Sequence, residues 1–493
     1  VQDLNRLSFN SALSHLRKIN LPLDASAKVI GPRLLHTTQW GVIDPLDTPD
    51  GGNIGLHKYL AMSTTITFGY DPTSLIKILR KLNIKFIEEC FLPVLDHYTK
   101  LFINGNWIGV VFKPDNFVST LILLRRNSII PIYTSISWDR INNEIFISTD
   151  AGRLCRPVLY IENNNISYNR SNILPLIKSG KYTWQQLIYG FGAKKVMIDD
   201  RVVYDVSKLY GSGLGDINAF FAENASIIDY IDVQETETAM IAMYKKDIKK
   251  DITTHLEIHP SLMLGVMGNQ ILFPEHNQLP RDLFSCGQSK QGVSLYHSNY
   301  HNRIDKMGVV LNYGQMPLVR SRYTKYINNE KHPYGENPIV AIMCYTGYNV
   351  EDSILFNKAS VDRGMFRTTY FNMYESQEES TKVSGAEIDS SFKNIETENV
   401  IRKRPGYDYS QLDDNGLIKE NTPLTEKTIV IGKCYNNLDD PSVFVDASSA
   451  CKKGQMGVVD KSFMTDGEEG FRKAKIRVRD ERIPAIGDKF CSR

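Results

Sequence analysis

The apolar positions of this chain change period several times, and each change marks an element. After Asp71-Pro72-Thr73-Ser74, which reads as a helix start, Leu75, Ile78, Leu79 and Leu82 recur at the spacing of one buried helical face. Leu101-Phe102-Ile103 and Trp107-Ile108-Gly109-Val110 instead flank an Asn104-Gly105 pair. Asn-Gly accepts the positive φ angles of a type I′ turn, so this stretch predicts a β-hairpin. Near the end, Ile476 and Val478 alternate with Lys475, Arg477 and Arg479, the period of a strand with apolar residues on one face and charges on the other. Ile339-Val340-Ala341-Ile342-Met343 is a further β-prone run. Helical and strand periods are interleaved, which predicts mixed α+β structure.

Polar segments punctuate this pattern. Gly, Pro and Asp cluster from Asp44 to Gly55 in an arrangement that no helix or central strand tolerates, implying a folded loop of the kind that often touches ligands. Residues 375–391 are rich in Ser and Glu and poor in apolar periodicity, so a mobile surface loop is expected there. Between residues 227 and 250 an acidic stretch (Asp232, Glu235, Glu237) precedes a basic one (Lys245, Lys246, Lys249, Lys250), and a solvated surface is the expectation for both. The basic residues of the 475–479 strip could follow a phosphate backbone or simply face water.

At 493 residues the chain exceeds the size of one hydrophobic core, so three or more compact units are expected. Hydrophobic residues at 42% and charged residues at 23% are ordinary globular values and exclude a largely disordered protein. Lys plus Arg total 58 against 56 for Asp plus Glu, so any surface for a polyanion must be local. The seven cysteines form no Cys-x-x-Cys pair, which argues against a zinc ribbon or a disulfide framework and suits an intracellular, reducing compartment. No run reaches the apolar length of a membrane span, and no membrane partner is expected. The start, Val1-Gln2-Asp3-Leu4, has neither an initiator Met nor a signal-peptide pattern, and reads as cut at its front.

Three segments carry candidate chemistry. Tyr345-Thr346-Gly347-Tyr348-Asn349-Val350-Glu351-Asp352-Ser353 places two carboxylates side by side behind a bend. Such a pair can hold Mg²⁺ through waters and substrate phosphates, although an acidic dipeptide alone is more often a surface pair. His276-Asn277-Gln278-Leu279-Pro280-Arg281 and Gln288-Ser289-Lys290-Gln291-Gly292 are dense in groups that donate to phosphates and base edges, and ordinary surface residues would read the same way. His255, Glu257 and His259 would face one way on an extended segment and could chelate a metal. The favoured alternative is that they cap and hydrogen-bond within a turn leading to Pro260.

Taken in order, the segments resemble the second-largest, or β-type, subunit of multisubunit DNA-directed RNA polymerases of eukaryotes, archaea and large DNA viruses. Arg33-Leu34-Leu35-His36, Trp40-Gly41 and Thr48-Pro49-Asp50-Gly51 resemble the family's fork region, which usually has Glu at the place of Asp50. Residues 149–157 and His259-Pro260-Ser261 resemble the external regions and the approach to the hybrid-binding region. Phe273 through Gln291, Asn299-Tyr300, Gly347 through Ser353 and Asp362-Arg363-Gly364 resemble the hybrid-binding region itself, and residues 412–418 the wall. Ile486-Gly487-Asp488-Lys489-Phe490-Cys491-Ser492-Arg493 matches the start of a motif that the family continues with Gly-Gln-Lys-Gly, so the chain reads as an internal fragment. The likeness spans nearly all the chain and is weakest from Val203 to Ile227.

The resemblance implies a mixed α+β multidomain architecture: fork (1–72), external 1 (73–162), external 2 (163–264), first part of the hybrid-binding region (265–368), wall or flap (369–483), and the start of its second part (484–493). It implies a nucleotidyltransferase whose catalytic Mg²⁺ is held by an Asn-Ala-Asp-Phe-Asp-Gly-Asp loop of the largest subunit, a sequence this chain lacks. The chain alone is therefore expected to be inactive, and no zinc site is expected in it. By resemblance, Glu351 and Asp352 lie near the second Mg²⁺, mainly through its water shell, Arg281 contacts the incoming triphosphate, and Lys489 binds the RNA 3′ region. Arg33 and Asp50 belong to fork loops beside the RNA–DNA hybrid, and Lys290 and Gln291 approach the RNA backbone. Phe284 stands where many relatives have Tyr, which removes a hydroxyl contact. The implied partners are the largest subunit, smaller polymerase subunits, template DNA, nascent RNA and nucleoside triphosphates, and nucleus, viral factory and virion are all compatible. The competing readings are a metal-dependent phosphodiesterase built on His255, Glu257 and His259, and a noncatalytic nucleic-acid-binding scaffold.

Overall fold

The computed structural model describes residues 2–491 except 83, 92–94, 96, 192–195, 199–200, 204–213, 329, 384–385, 438–439, 441 and 468–469. Ser492 and Arg493 of the terminal motif, and part of the Val203–Ile227 stretch, lie outside the described residues. The chain forms two compact units, Lys18–Gly268 and Val1–Arg17 with Asn269–Arg493. Helices and several sheets of mixed direction make each unit α+β.

In the Lys18–Gly268 unit the expected helix runs Thr73–Lys81, with Asp71 accepting the Thr73 amide and Leu75 and Leu79 buried. The hairpin joins Thr99–Ile103 to Asn106–Val111 through Asn104 (φ 49°) and Gly105 (φ 83°), the two positive angles the turn requires. These strands sit in a five-stranded sheet with Lys85–Phe86, Glu144–Ser148 and Ser135–Asp139. Leu101, Ile103, Ile145 and Ile147 pack there against Leu79 and against Phe117 and Leu121 of the Pro114–Arg126 helix. A second sheet is built around Leu154–Glu162, which pairs with Ile228–Asp232, His255–Leu256 and Thr65–Ile66.

Two charged side chains of the Pro114–Arg126 helix lie inside this unit. Arg125 donates to both oxygens of Glu235 at 2.8 Å and to the Thr134 carbonyl, while Arg126 grips Asp229 and lies over the Tyr160 ring. Of the acidic residues Asp232, Glu235 and Glu237, only Glu237 is solvated as expected: Asp232 and Glu235 are buried, and Asp232 also pairs with Arg153. Lysines 245, 246, 249 and 250 do face water. The physical reason is charge neutralisation, since a buried carboxylate is tolerable when a guanidinium satisfies it.

In the second unit a four-stranded antiparallel sheet runs in the order Met307–Leu311, Thr368–Gln377, Arg472–Arg482, Val458–Asp466. Ile476 and Val478 are fully buried, as their alternation implies. Arg477 is buried as well: it pairs with Asp460 and donates to the Tyr300 and Arg303 carbonyls, and Lys473 pairs with Glu375. The basic strip is thereby partly neutralised by acids of neighbouring strands. Residues 375–391 are not a loop either, because strands Thr368–Gln377, Ser380–Val383 and Ala386–Phe392 occupy most of them. Their polarity serves the interior: buried Glu378 accepts from the Arg472 side chain and from the amides of Phe392 and Arg472. The β-prone run at 339–343 forms no strand, and Ile339 and Ile342 are fully exposed. No strand pairs with it among the described residues, and an isolated extended segment has nothing to hold its backbone in a ladder.

Candidate nucleic-acid and nucleotide interface

The first candidate element is the Leu279–Gln291 helix. Pro280 sits in its first turn, where a missing N–H is harmless, and Asp282 is buried and accepts from Asn277 at 3.1 Å. Asp282, Leu283 and Cys286 face inward, leaving Arg281, Phe284, Gln288 and Gln291 exposed at the spacing of one helical face. The Arg281 guanidinium lies 5.6 Å from the centre of the Phe284 ring, so Phe284 steers Arg281 through its π face instead of offering a hydroxyl. Lys290 is half-buried, and its carbonyl accepts from the Ser8 hydroxyl at 2.7 Å, which satisfies an orphan group at the helix end.

The carboxylate pair sits in a turn shaped by backbone and amide together. Thr346 and Gly347 have φ of 58° and 77°, and Asn349 closes the bend by accepting from the Tyr345 amide and donating to the Met343 carbonyl at 2.7 Å. Glu351 itself is left-handed at φ 56°, a conformation costing a non-glycine residue on the order of 1 kcal/mol. Both Glu351 and Asp352 are exposed, and neither forms an ion pair among the described residues.

The terminal segment ties these pieces together. Phe490, next to Lys489, packs against Phe356 and Phe366 with ring centres 4.6 and 5.2 Å away. Phe356 follows Asp352 by four positions. Cys491 lies 2.9 Å from the Oε1 of Gln288 on the exposed face of the Leu279–Gln291 helix. Asp488 holds the turn by accepting the Ala485 amide and facing Arg482 at 3.6 Å. Within one unit, the flanks of Lys489 therefore touch both the segment that follows the carboxylate turn and the helix that carries Arg281, Lys290 and Gln291.

Arg33 and Asp50 belong to the Lys18–Gly268 unit. Arg33 directs its guanidinium to five backbone carbonyls, of Ala25, Ala27, Val29, Gly52 and Ile54, at 2.6–3.4 Å. It organises the Asp44–Gly55 loop from within. Gly55, at φ 74°, lets the chain pass so close that a Cβ there would stand 2.5 Å from the Arg33 carbonyl oxygen. Asp50 is exposed at the start of the Gly51–Asn53 turn. Sequence reasoning missed Asp44 in the same loop, which is buried and accepts from the Leu46 and Gly268 amides. Burial, with Asp47 nearby, pushes its carboxyl up to about 6.

His255, Glu257 and His259 do not converge. Glu257 is buried and held by Arg156 at 2.6 Å, with the Trp40 indole donating to it at 3.3 Å. His255 faces Asp229 at 3.9 Å, and burial, reinforced by three nearby arginines, pushes it down to about 4. His259 Nδ1 accepts the Ser261 amide and caps the turn at Pro260. No group of three His, Cys, Asp or Glu side chains among the described residues is arranged to hold a metal ion. A phosphodiesterase centre has no geometric basis at this cluster.

Comparison with known proteins agrees along the chain. Models described as RNA polymerase Rpb2 domains 3, 4 and 6 match residues 2–66, 101–162 and 267–493. The whole chain aligns with the DNA-directed RNA polymerase II subunit RPB2 of Encephalitozoon cuniculi at 34% identity, covering 41% of that protein. It aligns equally with RPB2 of Schizosaccharomyces pombe, at 34% over 42% of its length, and with subunit Rpo2 of Sulfolobus acidocaldarius, at 32% over 42%. The chain thus spans about two fifths of the relatives it matches.

Proposed function

The chain belongs to the Rpb2 family of second-largest subunits of DNA-directed RNA polymerase, and we propose that it forms one side of the centre in which such an enzyme extends RNA from nucleoside triphosphates on a DNA template. The observation that carries this reading is the meeting of the Lys489 segment with the Phe356 segment and with Gln288 of the Arg281 helix. Polyanions and their counter-ions are the ligands that exposed cations and exposed carboxylates serve when neither forms an ion pair among the described residues.

In the proposed reaction the RNA 3′-hydroxyl attacks the α-phosphate, a P–O bond forms to the transcript, and the bond to pyrophosphate breaks. Glu351 and Asp352 supply hard oxygen donors that suit Mg²⁺, but two carboxylates cannot complete its shell. They would lie near the second Mg²⁺, mainly through its water shell and beside triphosphate oxygens, while the aspartate loop of a largest subunit would hold the catalytic ion, and the two ions would stabilise charge on the transferring phosphoryl group. Arg281 would contact the incoming triphosphate, Lys489 would bind the RNA 3′ region, and Lys290 and Gln291 would approach the RNA backbone, Lys290 with its charge and Gln291 as a hydrogen-bond donor. Arg33 and Asp50 would shape a fork loop beside the hybrid, Arg33 through its carbonyl contacts. Smaller polymerase subunits would complete the assembly.

The test is Arg281→Ala in an assembled polymerase. Loss of one charge-assisted contact to the triphosphate is expected to raise the nucleotide KM by roughly 10-fold or more while template affinity stays within about twofold. Equal loss of both would remove the assignment. Full activity after Glu351→Ala with Asp352→Ala would favour the noncatalytic scaffold.

A further inference from the structure

The loop that leaves the Met307–Leu311 strand and returns at residues 333–337 is not used by the reading above. From Met307 to Tyr326 its charged residues are Arg320, Arg322 and Lys325, with no acidic residue among them. Arg320 is engaged by Glu330 at 3.2 Å, whereas Arg322 and Lys325 are exposed and form no ion pair among the described residues. The short helix Thr324–Asn328 buries Thr324, Ile327 and Asn328, which turns Lys325 and Tyr326 outward. Arg322 stands three residues earlier, in the turn that opens this helix. Tyr326 is 75% exposed, and no hydrogen bond or ring contact engages its side chain among the described residues.

We infer that Arg322, Lys325 and Tyr326 form a binding surface for a single nucleic-acid strand, distinct from the contacts proposed for Arg281 and Lys489. Two unpaired cations beside an exposed aromatic ring match the two needs of an unpaired strand, neutralised phosphates and a face on which a base can stack. A duplex offers no free base face to Tyr326, so the single strand is the better fit. An acidic protein surface would satisfy the cations but gain little from a ring that stands alone. The inference rests on the polymerase reading only in supposing that such strands are at hand.

The full chain would be titrated with a fluorescein-labelled 12-nucleotide oligouridine, and separately with oligodeoxythymidine, by fluorescence anisotropy across a salt series. Arg322→Gln with Lys325→Gln is expected to lower the slope of log affinity against log salt by about 1.4, the value for two phosphate contacts on a single strand. Tyr326→Ala is expected to weaken binding roughly fivefold or more with the salt slope unchanged. All three side chains are exposed, so circular dichroism should show an unchanged fold. Unaltered affinity and slope in both variants would overturn the inference and assign the surface to a protein partner. In an assembled polymerase the same variants should leave the nucleotide KM unchanged. The oligonucleotide result and the Arg281 result can therefore fail independently.

Discussion

Asp44 offers the sharpest check on the Asp44–Gly55 loop, because its carboxyl is buried and pushed up to about 6 from an ordinary 3.8. Desolvation is the main cause, Asp47 adds to it, and the amides of Leu46, Gly265 and Gly268 oppose it. A raised carboxyl pKa means that the folded state holds its proton where the unfolded state has lost it. The contribution of Asp44 to stability is therefore greatest below pH 4, falls as pH rises through 4 to 6, and levels off above. A shift of about 2 units corresponds to about 3 kcal/mol lost across that window. Asp44→Asn cannot ionise, so the variant should lack this component. All four tryptophans, Trp40, Trp107, Trp138 and Trp184, fall in the Lys18–Gly268 unit, so their fluorescence during urea unfolding reports that unit alone. The measured quantity is the stability change from pH 4 to pH 7 in the parent minus that in Asp44→Asn, in which titrating groups that do not interact with Asp44 cancel and the coupled Asp47 is counted with it. About 0.6 kcal/mol is already lost at pH 4, so a fall of roughly 2.4 kcal/mol is expected between the two pH values. A difference below about 0.5 kcal/mol, the usual error in comparing such variants, would refute the argument that the buried carboxylate carries this burden.

Glu257→Ala should cost about 3–5 kcal/mol in the same assay, because it leaves Arg156 buried without its partner, and it should shift Trp40 emission by removing the acceptor of its indole N–H. Replacing His255 and His259 by Ala should leave zinc binding, measured by calorimetry, unchanged, since these side chains do not converge. Gly55→Ala should destabilise the unit by about 2 kcal/mol or more, as it imposes a left-handed alanine and a Cβ 2.5 Å from the Arg33 carbonyl; unchanged urea midpoints would show that the loop relaxes freely.

Legibility from sequence followed range. The Thr73–Lys81 helix and the hairpin at Asn104-Gly105 depend on neighbours a few residues away, and periodicity and turn chemistry announced both. The partners of Arg125 and Arg156 lie 110 and 101 residues distant, so nothing local marked Glu235 or Glu257 as interior. The polar 375–391 stretch misled for the same reason: Glu378 is an internal ligand for Arg472, 94 residues on, and its charge read as solvation. At the candidate site, motif resemblance named the residues, but the meeting of Cys491 with Gln288 across 203 positions was visible only in three dimensions.

This contrast bears on how charge marks function in a chain whose basic and acidic residues nearly cancel. Arg125, Arg126, Arg153, Arg156, Arg472 and Arg477 are all held by carboxylates, several of them buried, and contribute to folding and not to any external field. Removing such pairs from the count leaves the cations that form no ion pair among the described residues, including Arg281, Lys489, Arg322 and Lys325, and they fall at exposed positions beside aromatic or carboxylate neighbours. A ligand in water responds to that uncompensated charge and not to net composition. A net charge near zero is therefore compatible with the polyanion-binding role proposed above, because part of the chain's positive charge is taken up by internal braces.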